Sequence, residues 1–404
     1  MYLVGGPRER FNGKYHVYVD LLSDCRDRTE SVRSTLQPNL DSLMEFPAQA
    51  LAELRQAAPQ LPSKRAVVGL DGFVDTIVTP VALRNGQGED FEPISTITEF
   101  GERVLQAAGK SANIEFYPLM DKLGGNGPIM ANALMAHGVA MSYVGALGES
   151  AIHPVFQEFA QHAEVISITD PATTTAVEFT DGKLMLGQMR CLDDVTYDAF
   201  ETKLGVAGVD KLLGEADLIS LVNWTMIPNM TEIFRRCVSD ALPRLPAKER
   251  FFFFDLADPQ KRSREDLLEV LAVIGDFGRF GQVTLGLNLK EAQQVHLALD
   301  FHPRGETKED LQQIAADIRE KLNYATVVVH PKESAACATR EGTSWIPGPY
   351  VTKPKITTGA GDHFNAGFSL GQMLGLSAPS CLALGCTTSG HYVRTAQSPT
   401  LEDL

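Results

Sequence analysis

Short apolar segments alternate with longer amphipathic segments over most of the chain, from Arg65 to Val329. The segments of strand length are Arg65–Leu70, Ile114–Pro118, Met141–Val144, Leu218–Val222, Phe251–Phe254, Val283–Leu287 and Thr326–Val329. The segments with helical spacing are Thr96–Ala108, Gly127–His137, Met230–Ser239, Arg264–Phe277, Leu289–Leu299 and Lys308–Leu322. This order predicts an α/β fold: a doubly wound, mostly parallel sheet with helices on both faces. Ligands of such sheets bind beyond the carboxyl ends of the strands.

One region departs from the alternation. Thr173–Phe179 and Lys183–Met189 are alternating strands joined by Asp181-Gly182, a type I′ turn signal. Thr76–Ala82 is a candidate to pair with this hairpin. A small β lid, around residues 173–189, would exclude water from a closed site. The alternative is an ordinary edge hairpin.

A run of small residues in front of an acid is the strongest chemical motif, Thr357-Thr358-Gly359-Ala360-Gly361-Asp362. It precedes an apolar helical run, His363–Leu376. Free amides at a helix start, together with the helix dipole, favour an anion such as a phosphate. Asp362 would stand beside that anion and take a proton from an incoming hydroxyl. The motif is also compatible with a simple capped helix start, so the rest of the chain must decide.

Three further clusters follow predicted strands. Gly69–Asp75 carries two carboxylates, Asp71 and Asp75, on a flexible turn. The run 124–127 (Gly-Gly-Asn-Gly) opens a helix, and 288–291 (Asn-Leu-Lys-Glu) follows the strand Val283–Leu287. Each cluster has an ordinary explanation as a turn or as a capping box.

In this order, and ending in Thr-Gly-Ala-Gly-Asp, the clusters resemble the ribokinase-like (PfkB) carbohydrate kinase family from about Lys64 to the C-terminus. The resemblance implies transfer of the γ-phosphoryl group of ATP, with Mg²⁺, to a hydroxyl of a sugar, nucleoside or related alcohol. A nucleoside kinase and a non-catalytic ligand-binding relative remain alternatives. A dehydrogenase is disfavoured because no G-x-G-x-x-G turn follows the first strand.

The resemblance implies a catalytic base and an anion hole in the C-terminal motif. Asp362 matches the base, and Gly359, Ala360 and Gly361, with the amide of Asp362, match the anion hole. On the acceptor side, Asp75 most resembles the substrate-binding aspartate, with Asp71 close enough to compete. The remaining acceptor-side candidates are Gly124, Gly125, Asn126 and Asn223. Beside Asn223, Trp224 is either a stacking platform for an acceptor ring or a core residue.

On the nucleotide side, Asn288 and Glu291 match the family pair that organises Mg²⁺. The resemblance implies contact through water molecules, because Mg²⁺ loses its hydration shell reluctantly. Thr358, Gly359 and Gly361 also match positions that contact the nucleotide, and Lys332 is a candidate for its phosphates.

Two positions depart from the family pattern. Ile356 stands where the family usually has an aspartate tied to a monovalent-cation site, so we expect no K⁺ activation of the usual kind. After the strand Thr326–Val329 the chain has His330-Pro331, where the family often has Thr-x-Gly. Proline removes a backbone donor there, which leaves open whether the phosphoryl donor is ATP, ADP or another compound.

The chain has 404 residues and a formal net charge of −15, which argues against nonspecific binding to nucleic acid or to an anionic membrane. Its six cysteines form no CxxC pair, and no export signal opens the chain, so we expect a cytoplasmic protein with reduced thiols. We expect residues 1–63 to form a partly irregular extension, its first 35 residues peripheral, with a short helix at Gln49–Ala57. Residues 64–404 would be the kinase domain, with possible homodimers through the lid.

Overall fold

The structure is a computed structural model that describes residues 48–404. The prediction for the first 35 residues therefore lies outside the described part. The predicted helix at Gln49–Ala57 is present as α1 (48–57), followed by a 3₁₀ turn at Ala58–Ser63. Residues Gln49–Leu404 form one compact unit. Because the Glu53 carboxylate accepts hydrogen bonds from the amide and hydroxyl of Ser377, the segment 49–63 belongs to the domain rather than to an extension.

Within residues 48–404, nine strands form the main sheet. They are β1 (Arg65–Leu70), β5 (Ala140–Ala146), β6 (Glu164–Thr169), β9 (Leu218–Leu221), β10 (Phe251–Asp255), β11 (Gln282–Leu287), β12 (Thr326–Val329), β13 (Ser334–Ala338) and β14 (Thr343–Pro347). Their spatial order is β14-β13-β12-β11-β10-β9-β1-β5-β6. All neighbouring pairs are parallel except those that β13 makes, which confirms the mostly parallel sheet.

Five strands form a second, smaller sheet. They are β2 (Phe73–Arg84), β3 (Phe91–Pro93), β4 (Phe116–Gly124), β7 (Ala172–Phe179) and β8 (Gly182–Gln188). The predicted hairpin is β7–β8, and β2 pairs with β7 as expected. The segment predicted as a main-sheet strand, Ile114–Pro118, instead begins β4 of this small sheet, because it pairs antiparallel with β2.

Helices cover both faces of the main sheet. After α1 they are α2 (Ile97–Gln106), α3 (Asn126–Ala136), α4 (Gln157–His162), α5 (Tyr197–Glu215, interrupted at Gly205), α6 (Met230–Arg236), α7 (Arg264–Asp276), α8 (Leu289–Ala298), α9 (Lys308–Leu322), α10 (Ala360–Met373) and α11 (Ala378–Thr395). On one face α10 packs between α3 and α11. Helices α5 to α9 share a core with the strands on the other face.

Local sequence explains several of these elements. Capping boxes begin α2 at Thr96/Glu99, α8 at Asn288/Glu291 and α9 at Thr307/Asp310. Phe252, Phe253 and Phe254 of β10 are almost wholly buried because parallel neighbours lie on both sides and helices cover both faces. In the part of the chain described, no helix is both long and apolar enough to cross a bilayer.

Candidate active site

The motif Thr357–Asp362 forms a tight turn at the start of α10, here named the catalytic turn after its predicted role. Gly359 is left-handed, with φ of 88°, and is the N-cap of the helix. The amide of Ala360 donates to the carbonyl of Thr357 at 3.2 Å, which closes the turn. Gly361 and Asp362 occupy the second and third helical positions, where amides lack an intrahelical acceptor. The anion hole that this turn can offer therefore consists of the amides of Gly359, Gly361 and Asp362, without Ala360.

Asp362 is a buried carboxyl with few partners. Its side chain is 8% exposed, and its Oδ1 accepts a hydrogen bond from Asn126 Nδ2 at 2.9 Å. Burial raises the pKa of Asp362 to about 8, and the charges of Asp71 and Glu291 act in the same direction, while the Asn126 bond opposes them. An acid with a pKa near neutrality is suited to take up and release a proton.

Asp71 has a different environment. It is fully buried; its Oδ2 accepts from the Asn126 amide at 2.9 Å and from Asn223 Nδ2 at 2.6 Å. Its Oδ1 accepts from the Gly127 amide at 2.9 Å, with the Tyr143 hydroxyl at 3.4 Å. These donors occupy the acceptor positions of the carboxylate. Asp71 therefore holds the start of α3 in place and has no free position for a sugar hydroxyl, in contrast to its predicted role.

Asp75 lies on strand β2, not on the flexible turn that the sequence predicted. It pairs in register with Lys122 of β4 and Thr174 of β7, so these three side chains share one face of the small sheet. Burial raises the pKa of Asp75, and the charge of Lys122, the Thr174 hydroxyl and the charge of Lys183 oppose that rise. A Cβ on Gly124 would lie 2.5 Å from the Asp75 carboxylate, so this close approach requires glycine.

The loop after β9 contributes Asn223, which is 2% exposed and left-handed with φ of 64°. Its Oδ1 is buried and has no hydrogen-bond partner among the described residues. A buried acceptor without a partner is costly unless a ligand or water supplies a donor. The neighbouring Trp224 is fully buried, with its Nε1 donating to Thr231 at 2.8 Å, so it is a core residue and offers no stacking surface.

The small sheet contacts the catalytic turn. Lys183 follows the turn of the β7–β8 hairpin, and its Nζ donates to the Thr358 hydroxyl. Lys183 pairs in register with Glu178 and so faces the same side of the sheet as Thr174 and Asp75. This face carries Asp75, a predicted acceptor-side residue, and its Lys183 meets the catalytic turn, so the small sheet lies over the site as a lid would.

A cleft of about 540 Å³ extends from Asp362 and Asn126 between the loops that follow β11 and β12. Asn288 and Glu291 line it as the capping box of α8, and Lys332 is an exposed residue at its edge. His330 also lines the cleft, with its ring stacked on Phe364 at 4.6 Å between centroids. The cleft thus leads from the catalytic turn to the predicted nucleotide-side residues.

Three acids, Asp255, Glu291 and Asp362, line this cleft. Burial raises the pKa values of Asp255 and Glu291, and Glu291 and Asp362 raise that of Asp255 further. The two Glu291 carboxylate oxygens accept the amides of Asp258 at 2.9 Å and Asn288 at 3.0 Å. No group of three His, Cys, Asp or Glu side chains among residues 48–404 is arranged to hold an ion alone. This donor set fits Mg²⁺ held largely by water and substrate phosphates.

Comparison with known sequences decides the family. A sequence model described as prokaryotic ketohexokinase matches residues 45–404. The chain belongs to this family. A ketohexokinase from Haloferax volcanii is 26% identical over 364 residues, which cover 89% of this chain and 95% of that protein. The family membership makes this protein a carbohydrate kinase and confirms the resemblance read from the motifs.

Solved structures show the same fold. An adenosine kinase from Sinorhizobium meliloti is 17% identical with a TM-score of 0.56, covering 84% of this chain and 96% of that one. A ribokinase from Cryptococcus neoformans var. grubii serotype A, in complex with ADP, is 18% identical with a TM-score of 0.55, covering 84% and 97%. The predicted ribokinase-like fold is therefore confirmed.

Of the residues that match family motifs, the structure brings together Asp362, Asn126, Gly125 and Asp75. Asn288 and Glu291 lie further along the cleft. Sequence reasoning missed Lys183 and Lys122. Side chains alternate between the two faces of a strand, so the sequence could have placed Lys183 on the face opposite Leu184. No sequence pattern indicated which of the two faces meets Thr358.

Proposed function

We propose that this protein transfers the γ-phosphoryl group of ATP to a hydroxyl of a ketohexose. The observation that carries this proposal is the position of Asp362, which lies between the amides of the catalytic turn and the acceptor-side Asn126. The ketohexose class comes from the family description and from the name of the H. volcanii relative.

In this proposal Asp362 accepts the proton of the acceptor hydroxyl as its oxygen bonds to the γ-phosphorus. The bond from the γ-phosphorus to the bridging oxygen breaks, and ADP leaves. The amides of Gly359, Gly361 and Asp362 stabilise the charge on the transferring group. Asn126 orients the carboxylate, since its Nδ2 holds one of the two oxygens and leaves the other for the substrate.

The acceptor would bind beneath the lid. Asp75, Gly125 and Asn126 would meet its hydroxyls, and the unpartnered Asn223 Oδ1 would accept a further one. Lys183 would bring a positive charge to the phosphate as the lid covers the site. The burial of Trp224 removes the one aromatic platform that the sequence suggested for a nucleobase, which favours a sugar over a nucleoside.

Asn288, Glu291 and Asp255 would hold Mg²⁺ through water. When bound, the ion neutralises phosphate charge and aligns the donor. Lys332 and Thr358 would contact the nucleotide phosphates. We also propose pairing of two copies through the lid, since Met120 and Met185 share one face of the small sheet and are exposed by 59% and 44%. Light scattering of the purified protein tests that pairing.

A substrate panel tests the function. Purified protein with MgATP is offered ketohexoses, aldohexoses and nucleosides, and ADP release is measured with mass detection of the phosphorylated product. We expect the highest kcat/KM with a ketohexose. Preference for a nucleoside would assign the alternative acceptor, and binding without turnover on any acceptor would indicate a non-catalytic protein.

A further inference from the structure

Two side chains hold the catalytic turn from the side of its carbonyl groups. The Tyr392 hydroxyl donates to the carbonyl of Thr358 at 3.1 Å. The carbonyl of Gly359 accepts from the backbone amide of His363 at 3.1 Å and lies 2.7 Å from its Nδ1. The rings of His363 and Tyr392 stack with centroids 3.6 Å apart and an interplanar angle of 13°. Both side chains are buried, at 1% and 9% exposure.

The hydrogen bonds determine the tautomer of His363. A carbonyl oxygen only accepts, so Nδ1 carries the proton that goes to Gly359. Nε2 is then the acceptor for the Ser398 hydroxyl at 2.9 Å, and Ser398 Oγ accepts from Asn132 Nδ2 at 3.1 Å. Burial lowers the pKa of His363 to about 4, so the imidazole stays neutral near pH 7. This chain of bonds links the catalytic turn to α3 and to the C-terminal segment.

The bonds to the two carbonyls also set the direction of the amides. In a trans peptide the C=O and N–H groups point in opposite directions across one plane. The Tyr392 bond therefore aims the Gly359 amide away from Tyr392, and the His363 bonds aim the Ala360 amide at the Thr357 carbonyl. These are the two peptide planes on either side of the left-handed Gly359, a glycine that has a wide range of alternative conformations.

We propose that His363 and Tyr392 are positioning residues, which fix the two peptide planes beside Gly359. The Tyr392 bond aims the Gly359 amide at the transferring phosphoryl group, and the His363 bonds keep the Ala360 amide on the Thr357 carbonyl, which closes the turn that presents the amides of Gly361 and Asp362. The inference rests on the proposed phosphoryl transfer. Neither residue touches the reacting atoms. They hold the peptide planes of the turn in the orientation that the reaction needs, so the backbone beside Gly359 does not have to rotate during the reaction.

A pair of substitutions at one position separates positioning from packing. In His363→Asn the amide nitrogen lies near the place of Nδ1 and can still donate to Gly359. In His363→Gln it lies near the place of Nε2 and loses that bond. Both remove the stacked ring and both are neutral, so a purely structural role predicts similar losses. Since a whole oxyanion donor is worth about 10²–10³ in kcat, we expect a loss of about 10–100-fold in kcat for His363→Gln.

For His363→Asn we expect kcat within about threefold of wild type, and for Tyr392→Phe a loss of about tenfold, with KM for the sugar little changed in every variant. His302→Gln, at an exposed histidine, is the matched control with unchanged kcat.

Equal kcat for the Asn and Gln variants, or effects on KM alone, would overturn the inference. If His363→Gln does not fold, Tyr392→Phe becomes the deciding variant, because it retains the stacked ring and loses only the hydroxyl. An unchanged kcat in Tyr392→Phe would then overturn the inference. A wild-type protein inactive on all acceptors contradicts the proposed function instead.

Discussion

Asp71 and Asp362 are both buried aspartates next to glycines, and both bind Asn126, but their surroundings differ. Asp71 accepts three hydrogen bonds, two on Oδ2 and one on Oδ1, with a hydroxyl nearby. Asp362 accepts one bond from a neighbouring side chain, that of Asn126. Burial raises the pKa of each, but at Asp71 four donors oppose the rise. The number of donors, rather than burial, separates a carboxylate that supports structure from one that can exchange a proton.

Substitution of Asp362 tests this comparison with the largest effect. Asp362→Asn keeps the size and polarity of the side chain but removes the base. We expect kcat to fall by about 10²–10⁴-fold while nucleotide and sugar binding by calorimetry remain. Wild-type kcat in this variant would show that another group takes the proton.

The pH dependence should follow the ionisation of Asp362. The base acts in its deprotonated form, and its pKa in the free protein is about 8. Therefore kcat/KM should fall about tenfold for each unit below pH 8, or about 100-fold at pH 6. A flat kcat/KM between pH 6 and 8 would contradict this assignment.

Asp71→Asn should act mainly on stability. Its amide would present a donor where backbone and side-chain donors already point, leaving buried groups unpaired. We expect a loss of about 1–3 kcal/mol for each unsatisfied group, measured by urea unfolding. A stable variant with a specific loss of sugar binding would return Asp71 to the acceptor site.

Asp362→Asn should change stability in the opposite direction. The folded pKa of about 8 lies above the ordinary value of 3.8, so the wild-type protein loses stability as pH rises from 4 to 8. Asparagine has no ionisation, so the variant should melt at a higher temperature than wild type at pH 8 and close to wild type at pH 4. If the melting temperatures of the variant and the wild type differed by the same amount at pH 4 and at pH 8, the pKa of Asp362 would not be raised in the folded protein.

Lys183→Met should have a smaller effect, because it removes one part-buried hydrogen bond between the lid and Thr358. We expect kcat/KM to fall about tenfold, with recovery in Lys183→Arg, as the charge is retained. Lys203→Met, at an exposed residue of α5, is the control. No change in Lys183→Met would exclude a role of this lid residue in phosphate binding.

The smallest expected effect concerns monovalent cations. Ile356 precedes the catalytic turn and has no oxygen to bind an ion. We expect the same kcat in K⁺ and in tetramethylammonium salts at constant ionic strength. Marked activation by K⁺ would show that other groups supply a cation site.

Much of the fold was predictable because it depends on local patterns. The strand Arg65–Leu70 and the helix Lys308–Leu322 have the predicted bounds, since apolar runs and capping residues act over a few positions. Strand β6, the β13–β14 hairpin and the helices α5 and α11 were missed. Helix α5 contains Gly205 in a non-helical conformation, which weakens its pattern. Strand β4 was assigned to the wrong sheet because its partner, β2, is distant in sequence.

By itself, the sequence determined the alternation of strands and helices, the glycine turn before Asp362, and the set of candidate residues at the strand ends. These features depend on neighbouring residues and on which edge of a parallel sheet the strands share. Only the tertiary structure decided that Asp71 is saturated and Asp362 is not, that Lys183 meets Thr358, and that Tyr392 and His363 hold the turn. Asn126 and Asp362 are 236 residues apart, so no local pattern records their bond. The reactivity of a buried carboxyl depends on such distant donors, which folding alone brings together.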